Sequence, residues 1–431
     1  MIGYAGLSHL GIVSSAAAAE KGFQVVAYDP DAALCRQLAG RRPPVAEPSL
    51  PELLAAVGPR LRFTTDTHAL AACDLIYISA DVPTTEDHRS DLSPVRQLVD
   101  IVTRAARPDA VVVILSQVPP GFMRALWAHL EMRDGRSTTL LYQVETLAFG
   151  VAVERALHPE RFIVGCPDPA RPLPRLLLDF LGAFGCPVLS MRYESAELCK
   201  ISINMFLAAS LSTANMLAEM CEATGAEWCE IAPALRLDRR IGNHAYLSPG
   251  LGIGGGNITR DLVTIRTLAR ECGTDAQLAD ACIQHGGYRR DWPLRVLHRH
   301  VLCRVAAPVI AVWGLAYKEH TNAIKNSPAL HLIRQLRGCT IRAFDPAVAA
   351  CGLDGVVSAT DALDACTGAD ALAVMTPWPQ FSQIDLRGVL HRMRSPRIVD
   401  PFGCLDRPSA EELGFEYARL GTGGPDQAAV C

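Results

Sequence analysis

Gly3-Tyr4-Ala5-Gly6, the run of small residues from Ser14 to Ala19, and Val25-Val26-Ala27-Tyr28 closing on Asp29 form the stretch on which the fold turns. The glycines resemble the last part of a GxGxxG turn, in which missing side chains let the backbone approach a pyrophosphate at a helix N-terminus. Asp29 ends the next apolar run, about 20 residues on, where an acidic side chain accepts hydrogen bonds from ribose hydroxyls and repels a 2′-phosphate. NAD is therefore the expected cofactor, rather than NADP. The bland alternative is a tight turn at Gly3 and Gly6 with Asp29 as a helix cap. In this register the first glycine of the fingerprint falls on Met1, and the strand that should precede it is absent. A central parallel strand is buried on both faces and costly to omit, so the expectation is a native chain that starts upstream. The alternative is that neighbouring strands close over the gap.

Outward from this stretch, short apolar runs recur between helical segments. They are Leu75-Ile76-Tyr77-Ile78 after Asp74, Ala110 to Leu115 before Ser116, and Phe162-Ile163-Val164 after Arg161. This is the βα rhythm of a doubly wound parallel sheet. From Glu194 to Ala223 there is no Gly or Pro and the apolar residues fall at helical spacing, which predicts one long helix. Beyond residue 300 the rhythm restarts with Val309 to Gly314, Thr340 to Phe344 before Asp345, Ala371 to Met375, and Arg397-Ile398-Val399 before Asp400. The expected fold class is α/β, with two doubly wound, Rossmann-like parallel-sheet domains joined by a long central helix. The expected boundaries are 1–190, 191–295 and 296–431.

With 431 residues, 49% of them apolar, the chain has material for more than one core. The 41 basic and 45 acidic residues leave a net charge of -4, so no global field favours nucleic acid or an anionic membrane. Any anionic ligand must be held locally. The 15 cysteines form no CxxC pair and their count is odd, which points to reduced thiols and to no metal site. The N-terminus has no basic segment leading into an apolar core, and there is no unbroken run of about 18 apolar residues. A soluble cytoplasmic protein is expected, without a nucleic-acid or membrane partner.

Further motifs follow one another along nearly the whole chain. They are Glu47-Pro48-Ser49-Leu50, Thr64-Thr65-Asp66, Val82-Pro83-Thr84, Ser116-Gln117-Val118-Pro119, and Pro159 to Gly165. Ala196-Glu197-Leu198-Cys199-Lys200 with Asn204 follows, then Arg240-Ile241-Gly242, the loop Pro249 to Gly256 leading to Asp261, and Gly314-Leu315-Ala316-Tyr317-Lys318 with Ser327-Pro328. In this order they resemble the UDP-glucose and UDP-N-acetylmannosamine dehydrogenase family. The resemblance implies a nucleotide-sugar substrate, UDP-, GDP- or dTDP-linked, and a homodimer built on the long helix. It adds Pro83 and Ser116 to Gly3, Tyr4, Ala5, Gly6 and Asp29 as cofactor contacts. It places Gly252, Gly254, Gly255, Arg240 and Lys318 at the substrate.

Lys200 and Asn204 are four apart on the long helix and project from one face. A lysine can hold a developing alkoxide by charge and take part in proton transfer, and Asn204 can donate to the same oxygen. The alternative for Lys200 is an exposed residue on an amphipathic helix. By resemblance both residues line the reacting carbon, with Asp261 holding a water or proton relay. Five glycines among the eight residues Pro249 to Gly256 permit close backbone approach and lead into a helical pattern from Ile258 to Ala269. The family's catalytic cysteine follows this loop, and here the position is Asn257. An amide nitrogen, its lone pair delocalised, forms no thiohemiacetal-like adduct. Its expected role is a helix N-cap. Other departures are Gln117 for the family's Thr, Val82 for another Thr, Phe149 for the second acid of a motif that keeps its first as Glu145, and Asp400-Pro401-Phe402-Gly403 for a DGRN element.

These residues predict an NAD-dependent enzyme that oxidises one sugar carbinol, a secondary alcohol to a ketone, and stops. Such steps occur in pathways to modified antibiotic sugars, including the nucleotide-linked octoses of lincosamides, a placement by analogy. A non-catalytic nucleotide-sugar-binding homologue is a second reading. A four-electron oxidation to a uronic acid, with water and Glu145 in place of a thiol, is the third.

Overall fold

The structure, a computed structural model, describes residues 1–84, 90–134 and 139–423. The chain forms two compact units, Met1–Ile203 and Asn204–Cys431. The first holds strands β1 (Ile2–Ala5), β2 (Val25–Tyr28), β3 (Leu61–Thr64), β4 (Leu75–Ile78), β5 (Val111–Ile114), β6 (Thr139–Gln143), β7 (Phe162–Cys166) and β8 (Val188–Arg192). Their order is β3-β2-β1-β4-β5-β6-β7-β8. All pairs are parallel except β6 with β7, which are antiparallel. The α/β fold is as expected, with this one departure from a purely parallel sheet.

The strand that the sequence reading found absent is present. Ile2-Gly3-Tyr4-Ala5 is β1, buried throughout and paired on one side with β2 and on the other with β4. The register of the fingerprint was therefore five residues too early. Two of the four β1 residues are Gly and Ala, which carry little strand propensity, so the strand reads as a turn. Its neutral small residues are suited to the sheet centre: a Cβ on Gly3 would already sit 3.1 Å from Cys73 Sγ.

After β1 the helix His9–Glu20 (α1) buries Gly11, Ile12, Val13, Ser15 and Ala16 to Ala19. Small residues let it lie close on the sheet, and alanine carries the highest helix propensity. Lys21-Gly22 ends it, with Gly22 at φ 94 and the Phe23 N–H returning to Ala18 O.

The long helix Tyr193–Thr224 (α2) carries the chain from the first unit into the second. By length and composition alone it is apolar enough to cross a membrane. Its inward polar residues are nonetheless matched by protein groups. Glu197 accepts from the Gly121 and Met123 N–H groups, and Asn215 from the Gly250 N–H.

The second unit repeats the first winding. Strands β9 (Val309–Trp313), β10 (Thr340–Phe344), β11 (Val356–Ser358), β12 (Ala371–Val374), β13 (Arg397–Val399) and β14 (Glu416–Ala418) lie in the order β11-β10-β9-β12-β13-β14. All five pairings are parallel. In open sheets of this kind ligands lie outside the carboxyl ends of the strands, at the point where the order reverses. Those points are β1/β4 and β9/β12.

Candidate functional site

At the carboxyl end of β1 the chain turns at Gly6, φ 94, whose N–H donates to Tyr28 O at 2.9 Å. A Cβ on Gly6 would lie 2.9 Å from the Ala80 nitrogen, and one on Gly11 would overlap the Gly6 carbonyl oxygen. The turn is thus Gly6-Leu7-Ser8-His9-Leu10-Gly11, with Ser8 at its middle glycine position. The Ser8 hydroxyl donates to Ser79 O at 2.7 Å and makes no side-chain cap on α1. The first N–H groups of α1 therefore remain available to an anion.

Asp29, just past β2, accepts from the Leu7 N–H at 2.7 Å and the Asp31 N–H at 2.9 Å. A carboxylate offers about four acceptor positions, so capacity is left for a ribose. These features fit a dinucleotide.

Four expected cofactor contacts are corrected. Gly3, Tyr4 and Ala5 belong to β1, and the Tyr4 ring stacks on Tyr77 at 5.0 Å in the core. Ser116 is fully buried, with its hydroxyl donating to Ala80 O at 2.7 Å. It ties together the chain segments leaving β4 and β5. Pro83 lies on the loop after β4, its carbonyl accepting from the Asp91 N–H.

Sequence reasoning missed a cluster at the start of α1. His9 stacks on Phe149 with centroids 4.2 Å apart, and its Nε2 lies 2.9 Å from Glu47 Oε2. Glu47 is buried and also accepts from the Gly150 and Ala152 N–H groups. These bonds, with the burial that opposes them, leave its pKa lowered. The acid of the Glu47-Pro48 element thus clamps α1 to the segment after Glu145. A fingerprint placed at Gly6 to Gly11 would have exposed His9 as its variable position.

Glu145 follows β6, half-buried, at the wall of a cavity of about 50 Å3 that is also lined by Tyr4, Gln143, Thr146 and Arg155. Its Oε1 accepts from the Thr146 and Leu147 N–H groups at 2.5 and 2.6 Å. Burial raises its pKa, and the two N–H groups and the charges of Lys200 and Arg155 hold back part of that rise. The structure thus brings Lys200 within electrostatic reach of Glu145.

One helical turn along α2, buried Asn204 donates from Nδ2 to Asp261 Oδ2 at 2.5 Å. Asp261 is itself buried, and the Nε of buried Arg260 lies 3.5 Å from its Oδ1. It stands on the helix Asn257–Glu271 (α3), where Asn257 is the exposed first residue. Asn257 and Asp261 are one turn apart, on one face of α3. The N-cap is Gly256 rather than Asn257, so the expected cap role is corrected by one position.

The glycine loop owes its composition to what packs on it. A Cβ on Gly252 would meet the Gly286 backbone, and Cβ atoms on Gly254 and Gly255 would lie 3.3 and 3.0 Å from the Tyr317 ring. One on Gly256 would lie 3.5 Å from Lys325 Nζ, and Asn326 Nδ2 donates to Gly255 O at 2.6 Å. Lys325 and Asn326 are further residues the sequence reading did not single out, although they directly precede Ser327-Pro328. Lys318 is half-buried with its ammonium 5.9 Å from the Tyr317 ring centroid. Arg240 is exposed and pairs with Asp238 at 2.7 Å, not with the loop.

The second sheet repeats the turn of the first. Gly314, φ 92, donates to Phe344 O, and the Leu315 N–H meets Asp345 Oδ2 at 2.6 Å. Asp345 also accepts from the Ala316, Ala347 and Val348 N–H groups and from Trp378 Nε1. With five donors its acceptor positions are filled. Of the two matching aspartates, only Asp29 keeps room for a ribose.

The chain matches the models of the UDP-glucose/GDP-mannose dehydrogenase family in three parts: the NAD binding domain over residues 1–173, the central domain over 194–285 and the UDP binding domain over 311–407. The chain belongs to this family. As a member of the UDP-glucose/GDP-mannose dehydrogenase family it is an NAD-dependent oxidoreductase acting on the CH–OH group of a nucleotide sugar. It is 30% identical over 437 residues to the UDP-glucose 6-dehydrogenase of Pseudomonas aeruginosa, covering 96% of each chain. It is 29% identical over 428 residues to the UDP-glucose 6-dehydrogenase TuaD of Bacillus subtilis, covering 96% of this chain and 92% of that one. A UDP-glucose dehydrogenase structure from Pyrobaculum islandicum superposes with a TM-score of 0.86 at 27% identity, covering 98% of each chain.

Proposed function

We propose that this dehydrogenase removes a single hydride from a secondary carbinol of its nucleotide sugar and releases the ketone. The observation that carries this reading is Asn257 at the start of α3, directly after the glycine loop and one turn from Asp261. Where the family resemblance calls for a thiol, an amide forms no covalent adduct, so the second oxidation of a primary alcohol has no route through residue 257. A ketone has no further hydride to lose. NAD, when bound, supplies the hydride acceptor. Lys200 holds the developing alkoxide by charge, and Asn204, fixed by Asp261, orients the same oxygen. Glu145 takes the proton, for which a raised pKa suits a carboxylate. Asp29 selects NAD over NADP through the ribose.

The retained Glu145 favours one other reading, a four-electron oxidation in which it activates water. NADH counted per sugar consumed separates the two. One NADH with a carbonyl product is expected; two NADH with an acid product would refute a single hydride removal. Asn257→Cys should leave the one-to-one ratio intact with a secondary alcohol.

We also propose a homodimer. Leu198, Phe206, Met216 and Met220 are exposed, and at 100° per residue they fall on one side of α2. Light scattering on Phe206→Glu should report monomers; an unchanged dimer mass would remove this face from the interface.

A further inference from the structure

Arg419 follows β14, at the carboxyl end of the second sheet. The residue is half-buried and its guanidinium packs against Gly403, so that a Cβ on Gly403 would sit only 2.8 Å from its Nη2 and closer still to Nε and Cζ. Gly403 is at φ 69 in a loop organised by Asp400. The buried Asp400 accepts from the Phe402, Gly403 and Leu405 N–H groups and from the Tyr417 hydroxyl. That acid is consumed by four donors. Arg419 itself has no hydrogen bond or ion pair among the described residues, whereas Arg397 and Arg407 of the same unit are paired with Glu416 and Glu411. The DGRN-like element here has Phe402 and Gly403 where its arginine and asparagine would stand. The space an asparagine side chain would take is filled by Arg419.

We propose that Arg419 binds the diphosphate of the nucleotide sugar, supplying from β14 the cation that the Asp400–Gly403 element lacks. This rests on the nucleotide-sugar reading above. A guanidinium offers paired N–H donors in a fixed fork that matches phosphate oxygens, and here glycine packing orients it before any ligand arrives. Its position at strand ends is where ligands of open α/β sheets bind. β14 lies two strands from β12, about 10 Å at the usual inter-strand spacing. A side chain of arginine's length directed along the strand ends covers much of that distance, and an extended nucleotide sugar covers the rest.

The test is calorimetric titration of UDP, GDP and dTDP, with uridine, guanosine and thymidine as uncharged counterparts, into the full-length protein and its variants. Arg419→Ala should weaken whichever diphosphate the unaltered protein binds by tenfold or more, while the matching nucleoside and NADH bind as before. Arg419→Lys, which keeps charge without the fork, should fall between. Gly403→Ala should also weaken the diphosphate, because its methyl displaces the guanidinium, and it serves should Arg419→Ala unfold. Undiminished diphosphate affinity in Arg419→Ala, or equal losses for diphosphate and nucleoside, would overturn the assignment. If the unaltered protein binds none of the three diphosphates, the nucleotide-sugar reading itself fails.

Discussion

Gly11→Ala tests the placement of the dinucleotide turn most directly. The new methyl would overlap the Gly6 carbonyl oxygen and lie 2.7 Å from Ser79 Oγ and 3.1 Å from the Gly6 carbonyl carbon. Two of these three neighbours are backbone, so relief requires α1 to move off the sheet. Overpacking of this kind costs roughly 1–3 kcal/mol, and rigid neighbours put this case at about 3 kcal/mol, a melting shift of roughly 6–12 °C in a unit of this size. The same movement draws the first N–H groups of α1 away from a bound pyrophosphate, for a loss of NADH affinity of about tenfold or more, since each 1.4 kcal/mol is a factor of ten. The control is Gly3→Ala. Its methyl would meet Cys73 Sγ at 3.1 Å and Ile76 Cγ1 at 3.3 Å, side-chain atoms that can give by a few tenths of an ångström. Thermal melts and NADH fluorescence titrations of the two variants should therefore diverge. A Gly11→Ala protein that melts and binds NADH like the unaltered one, or a Gly3→Ala protein that alone loses NADH, would refute the Gly6-to-Gly11 register.

Lys200→Met should reduce turnover on the order of 100-fold and move the acid limb of kcat to higher pH. The Lys200 charge lowers the Glu145 pKa, so its removal raises that pKa and the base form appears later as pH rises; a limb that stays in place would separate Glu145 from the rate. Asp29→Asn should narrow the preference for NAD over NADP by removing the charge that repels a 2′-phosphate, checked by the ratio of kcat/KM values; an unchanged ratio would show that Asp29 does not face the ribose. Asn204→Ala should lower the melting temperature as well as turnover, because it takes a donor from the buried Asp261 carboxylate, an omission worth about 1–3 kcal/mol. An unshifted melt would mean that Asp261 is satisfied without it.

Much of the architecture was legible because it is written in runs and periods. The apolar runs ending at Asp29 and Asp345, and a stretch without Gly or Pro spanning α2, each follow from local chemistry. Helical spacing and motif order also single out Lys200, Asn204 and Asp261, and the structure joins Asn204 to Asp261 by a hydrogen bond and sets the Lys200 charge on Glu145. The failures have a common cause. β1 contains only four residues, one of them glycine, and its identity depends on the strands on either side. Ser116 carries a hydroxyl that could have faced a ligand, and only the path of the chain after β4 shows it bonded to Ala80 O. The packing of Lys325 on Gly256 and of Arg419 on Gly403 links residues distant in sequence, and nothing in either segment announces its partner. Asn257 missed the cap position by one residue, within the usual uncertainty of helix ends.

The paired turns at Gly6 and Gly314 bear on how one polypeptide avoids confusing its two ligands. Two sheets with the same winding and the same aspartate after the second strand would, left alike, compete for the same cofactor, and each misplaced dinucleotide would block a substrate. Filling one aspartate with internal donors removes that competition without changing the fold. Trp378 is the donor that most sets the sheets apart, because it comes from a side chain and not from the repeated backbone turn. The difference between the halves thus lies in part in one indole N–H, and selection on the sorting of two nucleotides would act on Trp378 as well as on the residues that meet the sugar.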